Sequence, residues 1–297
     1  RDEFAAGIPM AAATIGPIFP PSIPLIIFAA AAEVSAVKLL LAGALPAIVI
    51  AILLMAQIAW MAKRQNLPRD TARRAPGQLR RAFIVSLPAL FAPVILIGGL
   101  VSGFFGPTEV AAVTVAYALL LGVFVYRELT WQGVVNAARE TVHSTASVLF
   151  IVGSAALFAW VLTIDQVPMR ATELLLGLSD RPWVLLLIVN FILLVIGMVM
   201  ESIAAILILA PILTPALVAA GVDPVQLGVV VVLNLMIGLL TPPVGMVIFV
   251  LAKVSKLSFE KTLAAIMPWM IPLFATLLLI TYVPDIVMFL PRLLYPN

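Results

Sequence analysis

Apolar runs long enough to cross a bilayer alternate with short polar stretches along the whole chain, and this alternation predicts helices. The apolar segments fall at about 5–32, 39–62, 82–103, 109–126, 145–163, 183–220, 225–252 and 263–283. One crossing needs roughly 20 residues, whereas the sixth segment has 38 and is interrupted by Gly197-Met198-Val199-Met200-Glu201-Ser202. It is predicted to be either two crossings or a re-entrant hairpin, entering and leaving on one side. Two other segments carry the same breaker, Gly-x3-Pro-Pro, as Gly16 to Pro21 and Gly238 to Pro243. Proline has no backbone N–H, so in a helix Pro20 and Pro21 withhold a donor from the carbonyls of Gly16 and Pro17. Pro242 and Pro243 do the same to Gly238 and Leu239. Irregular backbone at membrane depth is tolerated only where it is buried in protein or lines a wet cavity. Broken helices in matching places of two halves point to a transporter's binding site.

Composition sets the class. Hydrophobic residues make up 64% and charged residues 10%, and mean hydropathy is +1.21, so the fold class is an all-α polytopic membrane protein. The absence of cysteine excludes disulfides, thiolate metal sites and a cysteine nucleophile. With one histidine, no His-Glu-x-x-His and no Gly-x-Ser-x-Gly, the chain lacks the parts of an intramembrane hydrolase and reads as no enzyme. Seven of the 17 basic residues, Lys63, Arg64, Arg69, Arg73, Arg74, Arg80 and Arg81, share one loop with a single acid, Asp70. The positive-inside rule makes that loop cytoplasmic, and its place between two apolar spans argues against nucleic acid.

Counting from that loop, Arg127 and Arg139 lie inside and Asp165, Arg170, Glu173, Asp180 and Arg181 outside. Segment 225–252 runs inward to Lys253, Lys256 and Lys261, provided that 183–220 returns to the side it left. A hairpin with arms of about 17 residues turning near Glu201 satisfies this. Segment 5–32 then runs outward, so the two proline motifs are inverted repeats. At a constant offset of 222 residues Gly16 matches Gly238, Pro20 matches Pro242, Pro21 matches Pro243, and Pro46 matches Pro268. Symmetry asks for a partner hairpin before residue 1, and the chain opens on Arg1 without a signal-peptide pattern, so it is read as an N-terminally truncated fragment.

Three stretches, Thr14-Ile-Gly-Pro-Ile-Phe-Pro-Pro-Ser-Ile-Pro24, Gly106-Pro-Thr-Glu-Val-Ala-Ala112 and Ile237-Gly-Leu-Leu-Thr-Pro-Pro-Val-Gly245, stand beside Pro211-Ile-Leu-Thr-Pro215 and Gly221-Val-Asp-Pro224. Together they resemble the large membrane subunit of the tripartite ATP-independent periplasmic (TRAP) transporters, over essentially the whole chain. The resemblance implies sodium-driven uptake of small organic acids of the dicarboxylate, keto acid or sialic acid class across the bacterial inner membrane. It also implies a periplasmic substrate-binding protein, a small four-helix membrane subunit, and an elevator movement of the hairpin-containing domain. Within this chain it implies an inverted-repeat elevator-type secondary transporter with a re-entrant helical hairpin and proline-broken transmembrane helices.

Sodium prefers oxygen ligands, and carbonyls freed by proline together with hydroxyls supply neutral ones. One sodium site is expected from Gly197, Met198, Ser202, Gly238, Leu239 and Thr241. Half of another is expected from Thr14, Gly16, Pro17 and Ser22, with the substrate cavity at Glu201, Asn234, Pro242, Pro243 and Gly245. Glu201 is read as functional, in a supporting role, rather than as a plain helix cap. Glu109 is read as a cap, His143 as part of a solvated face, and Asn190 and Asn234 either as interhelical glue or as cavity lining. Pro88, Pro93 and Pro268 are read as kinks, and Trp60, Trp131, Trp160, Trp183 and Trp269 as interface anchors.

The organisation expected is 1–62 as the remainder of a first repeat, 63–81 as the cytoplasmic loop, 82–283 as the second repeat and 284–297 as a periplasmic tail. The second repeat comprises scaffold spans at 82–126, an interfacial arm at 127–144, a span at 145–163, the hairpin at 183–220, the broken helix at 225–252 and a span at 263–283. Alternatives are a sodium/organic anion symporter that needs no binding protein and, more distantly, an intramembrane enzyme or a channel.

Overall fold

The computed structural model describes residues 2–64, 77–179, 181–255 and 257–295, and every regular element among them is helical. Most of the basic loop, including Arg69, Asp70, Arg73 and Arg74, lies outside the described residues, as do Asp180, Lys256 and the last two residues. The first apolar segment is split into α1 (Asp2–Ala13) and α2 (Ile23–Ala31), followed by α3 (Ala36–Arg64). Next come α4 (Gln78–Ser102), α5 (Pro107–Leu120) with a π-helical turn at Leu121–Val125, and α6 (Trp131–Ile164). They are followed by α7 (Val167–Leu178), α8 (Pro182–Val199), α9 (Ser202–Ala219), α10 (Pro224–Gly238) and α11 (Met246–Ser255). Then α12 (Phe259–Ile266) passes through a 3-10 turn at Met267–Trp269 into α13 (Met270–Tyr282), and α14 (Pro284–Leu294) ends the chain. Seven helices among the described residues are long and apolar enough to cross a membrane, which makes this a polytopic membrane protein.

The chain divides into two compact units, Trp60–Leu149 and the remainder. In the smaller unit α4 and α5 pack together: Gly99 faces Val110, the Tyr117 hydroxyl donates to the Pro88 carbonyl at 2.9 Å, and the Phe91 and Tyr117 rings meet at 6.4 Å. Glu109 accepts the Gly106 N–H at 2.9 Å, the capping role read from its place after Gly-Pro-Thr. In the larger unit α10 is the core. All its residues from Val225 to Gly238 are buried, and α8, α9, α13 and α2 pack around it. A helix apolar on every side belongs there.

Several segments differ from the sequence reading. The stretch after Asp165 forms α7, which packs on α9, and the C-terminal tail forms the amphipathic α14. From Trp131 onward, the arm and the span at 145–163 are one continuous helix of 34 residues. Trp269 is no interface anchor. It is 1% exposed, because Gly7 on α1 has no side chain and the indole fills that gap. Trp60, Trp131, Trp160 and Trp183 are exposed.

The repeat survives in the element boundaries. Shifted by 222 residues, α1 starts where α10 starts, and α2 and α3 start within one residue of α11 and α12. Packing is reciprocal as well: α1 meets α11 and α12, while α10 meets α2 and, at Gly228, Leu39 of α3.

Prolines beyond the two motifs also free carbonyls, and distant amides answer them. Pro284 withholds a donor from Ile280, and Gln226 Nε2 of α10 donates to the Ile280 and Thr281 carbonyls at 3.0 and 2.9 Å. Pro272 withholds one from Pro268, whose carbonyl accepts from Gln57 Nε2 of α3 at 2.7 Å. Replacing Gln226 with leucine leaves two carbonyls unmet in the core. We expect a loss of about 1–3 kcal/mol, seen as a lower unfolding temperature of purified protein in lipid nanodiscs. Unchanged unfolding would show that these bonds contribute nothing net.

Candidate functional site

The interruption of the sixth apolar segment is a two-residue turn between helices of equal length. The Met200 N–H closes α8 on the Ile196 carbonyl at 2.9 Å, and the Glu201 carboxylate caps α9 by accepting the Ala204 N–H at 3.0 Å. Glu201 is exposed. Ser202, the first residue of α9, is 2% exposed, and its Oγ has no hydrogen-bond partner. Buried hydroxyls are almost always paired, so this oxygen marks a place where a ligand or a water belongs.

The end of α8 lies directly on the end of α10. A Cβ on Gly238 would stand 2.7 Å from the Cα and carbonyl carbon of Gly197, and a Cβ on Gly197 would stand 3.1 Å from the Leu235 carbonyl oxygen. The backbones meet with no side chain between them, the approach that small residues allow in membranes. This contact brings Gly197, Met198 and Gly238 together and sets the Ser202 turn beside the second break.

That break is built by local bonds. The Thr241 N–H donates to the Gly238 carbonyl at 2.9 Å and its hydroxyl to the Ile237 carbonyl at 2.8 Å. The Leu239 carbonyl accepts the Val247 N–H at 3.3 Å, and the Pro242–Pro243 bond is cis. The oxygens that prolines leave open at Gly238 and Leu239 thus each accept one N–H and keep a second lone pair. Gly245 adopts a left-handed φ of 53°, and a Cβ there would sit 2.7 Å from Ile248, so glycine is required before α11.

The first break carries the same Gly-x3-Pro-Pro motif and has different bonds. The Thr14 hydroxyl donates to the Ala11 carbonyl at 2.6 Å. The Ser22 hydroxyl donates to the Pro17 carbonyl and accepts the Leu25 N–H at 3.1 Å, capping α2. The Pro20–Pro21 bond is cis, and the Ile18 carbonyl packs against Gly43 of α3. Thr14 and Ser22 are both buried.

Asn234, expected as glue or cavity lining, is fully buried and bridges helices. Its Nδ2 donates to the Asn190 carbonyl and side chain at 2.9 and 2.7 Å, and Asn190 Nδ2 donates to Thr281 Oγ1 at 3.0 Å. With Gln226 these residues form a polar ladder that ties α10 to α8 and α13; Asn234 and Asn190 lie one to two turns from the glycine contact and Gln226 more than three. Gln226 and Thr281 escaped the sequence reading. The signal was Pro284, which frees the Ile280 carbonyl, but nothing in the order of residues says which amide answers it. Closing the gap between Gly197 and Gly238 is a condition for the site. Gly238→Ala is expected to push α8 off α10 and lower the unfolding temperature more than Gly98→Ala, where a Cβ meets open space. Equal effects would sink the close-contact reading.

Comparison with known proteins follows the same lines. A family described as "Tripartite ATP-independent periplasmic transporter, DctM component" matches residues 1–286. The chain is 41% identical over 296 residues to the sialic acid TRAP transporter large permease protein SiaM of Vibrio cholerae, covering 99% of this chain and 68% of that protein. It is 39% identical over 287 residues to the 2,3-diketo-L-gulonate TRAP transporter large permease protein YiaN of Escherichia coli, covering 95% and 66% of the two chains. It is also 39% identical over 292 residues to the C4-dicarboxylate TRAP transporter large permease protein DctM of Pseudomonas aeruginosa, covering 97% and 67%. The chain spans about two thirds of the length of these relatives.

Proposed function

The chain belongs to the DctM component family of the tripartite ATP-independent periplasmic transporters, and we propose that it is the transport subunit of a sodium-coupled uptake system for a small organic acid. It is a multi-pass membrane permease and not an enzyme. The relatives' substrates, sialic acid, 2,3-diketo-L-gulonate and C4-dicarboxylates, point to a carboxylate-bearing cargo. A periplasmic substrate-binding protein would deliver it, and a small four-helix membrane subunit would complete the complex.

The observation that carries the sodium reading is the unpartnered Ser202 Oγ, buried at a turn pressed against a proline-broken helix. Ser202, the Gly197 and Met198 backbone, the second lone pairs of Gly238 and Leu239, and Thr241 offer a set of neutral oxygens suited to a hard monovalent cation. Thr14, Gly16, Pro17 and Ser22 would supply the corresponding half at the first break. Glu201, Pro242, Pro243 and Gly245 would line the cavity that takes the acid. Asn234 would act behind them by holding α10 to α8.

On this reading α8 and α9 form a re-entrant hairpin and the two repeats are inverted in the membrane. Sodium binding orders the α8–α9 turn against the break, so fully loaded and empty carriers cross more readily than partly loaded ones. The moving body would be the hairpin with its broken helices, in the manner of an elevator. We expect labelled organic acids to enter proteoliposomes holding the complete transporter only when an inward sodium gradient and the binding protein are both present. Uptake without the binding protein would instead make it an independent symporter. Thr241→Ala is expected to raise the sodium concentration for half-maximal uptake several-fold at normal expression, and an unchanged sodium dependence would remove Thr241 from the site. Glu201→Gln is expected to loosen the dependence of uptake on sodium, and wild-type coupling would leave Glu201 as a cap alone.

A further inference from the structure

At the end of α10 remote from its break, the first turns of α3 and α10 meet α14 around a cavity of about 520 Å³, whose lining includes Lys38, Asp223, Met288, Pro291, Arg292 and Tyr295. We propose that this cavity takes the headgroup of a membrane phospholipid, with the phosphodiester against Lys38 and Arg292, an ethanolamine ammonium against Asp223, and the acyl chains along α14.

Two observations place the cavity at headgroup depth. Lys38 stands in the first turn of α3, a 29-residue helix long and apolar enough to cross a membrane. At 1.5 Å per residue it runs about 44 Å, beyond the roughly 30 Å of a hydrocarbon core. Its charged residues are Lys38 at the start and Lys63 and Arg64 in the last turn, with none between. Helix α14, for its part, is apolar on two opposite faces. Val287, Met288 and Pro291 are buried, whereas Phe289 and Leu293 on the far side are 57% and 63% exposed. Asp285 and Arg292, seven residues apart and therefore in line, stand between those faces. A helix of this kind lies in the membrane interface with its outer face among acyl chains.

The charges select the headgroup. Arg292 donates to Asp285 at 2.8 Å in a pair exposed enough to contribute little, and the rest of its five N–H donors stay open to a phosphate, which the guanidinium fork suits. Asp223 caps α10 through Oδ1, which accepts the Val225 and Gln226 N–H groups at 2.8 and 3.4 Å, while Oδ2 accepts no bond among the described residues. Two cations beside one carboxylate suit a ligand that carries both signs. A purely anionic group, whether a phosphatidylglycerol headgroup or an organic acid, would bring no cation to Asp223. Choline has no N–H to give it, whereas a primary ammonium has three. The cavity has the volume of roughly 17 waters at about 30 Å³ each, room for a phosphoethanolamine group with part of its hydration.

Native mass spectrometry of the complete, delipidated protein, offered equal amounts of phosphatidylethanolamine, phosphatidylglycerol and phosphatidylcholine, tests this. We expect one phosphatidylethanolamine per chain to be held in preference to the others, and Arg292→Gln to lower its occupancy several-fold. Asp223→Asn keeps an oxygen that can cap α10, so it should still hold a phospholipid but lose the preference for ethanolamine. Arg170→Gln, which removes an exposed arginine of α7 outside the cavity, should change nothing. Wild-type occupancy and preference in both Arg292→Gln and Asp223→Asn would overturn the site, as would an equal loss in Arg170→Gln, which would mark general lipid adhesion. Unchanged lipid binding beside weakened capture of the periplasmic binding protein by Arg292→Gln would also overturn it and make the cavity a protein-docking surface. Displacement of the lipid by free phosphoethanolamine at equal concentration would overturn the part assigned to the chains along α14. Should Arg292→Gln fail to fold, the lost preference in Asp223→Asn decides.

Discussion

A backbone carbonyl without a donor is costly in a bilayer, and this structure is organised around the places where proline creates one. Pro21, Pro242, Pro243, Pro272 and Pro284 withhold donors from the carbonyls of Pro17, Gly238, Leu239, Pro268 and Ile280. The groups that answer them are the Ser22 hydroxyl, the N–H groups of Thr241 and Val247, and the amides of Gln57 and Gln226. Each answer places a polar group at a defined point in an apolar interior. A polar group in such a place stays only where its bonds are met, so each pair also pins two elements together.

The breaks follow from that constraint. Their loops are compact because the freed oxygens turn inward to local donors, and each loop starts a new helix with a glycine or a capping serine. The second break gains a further neighbour because Gly197 and Gly238 let α8 and α10 touch backbone to backbone. The Asn234–Asn190–Thr281 ladder fixes the register of the same helices from behind. Contact in front and hydrogen bonds behind hold the α8–α9 turn against the break, the rigidity that the proposed ion site would require.

Much of this was legible from the chain alone. The apolar segments, the interruption at Glu201, the repeated Gly-x3-Pro-Pro and its offset of 222 residues all reappear as helices, a turn and two breaks at matching boundaries. The reading lost accuracy where polarity is mixed. Helix α7 carries Arg170 and Glu173 among its leucines and received no element in the sequence reading, and α14 was read as a tail. Trp269 looked like an anchor because it stands near a segment end, whereas a glycine 262 positions earlier in the chain decides its burial. Asn234 was balanced between two roles, and only its pairing with Asn190 makes it a bridge.

The order of residues already settles where helices break and which oxygens lose their donors, because a proline lacks its N–H wherever the chain goes. It also determined the membrane class, since hydropathy is a property of composition. Which group replaces each missing donor depends on the packed arrangement of the helices. Gln57 lies 211 residues from the Pro268 carbonyl that it serves, and Gln226 lies 54 from Ile280. Nor could the order of residues show that Gly197 meets Gly238, or that Ser202 and Thr214 end without partners. Those outcomes depend on distances between helices, and such distances come from how side chains of many elements pack at once.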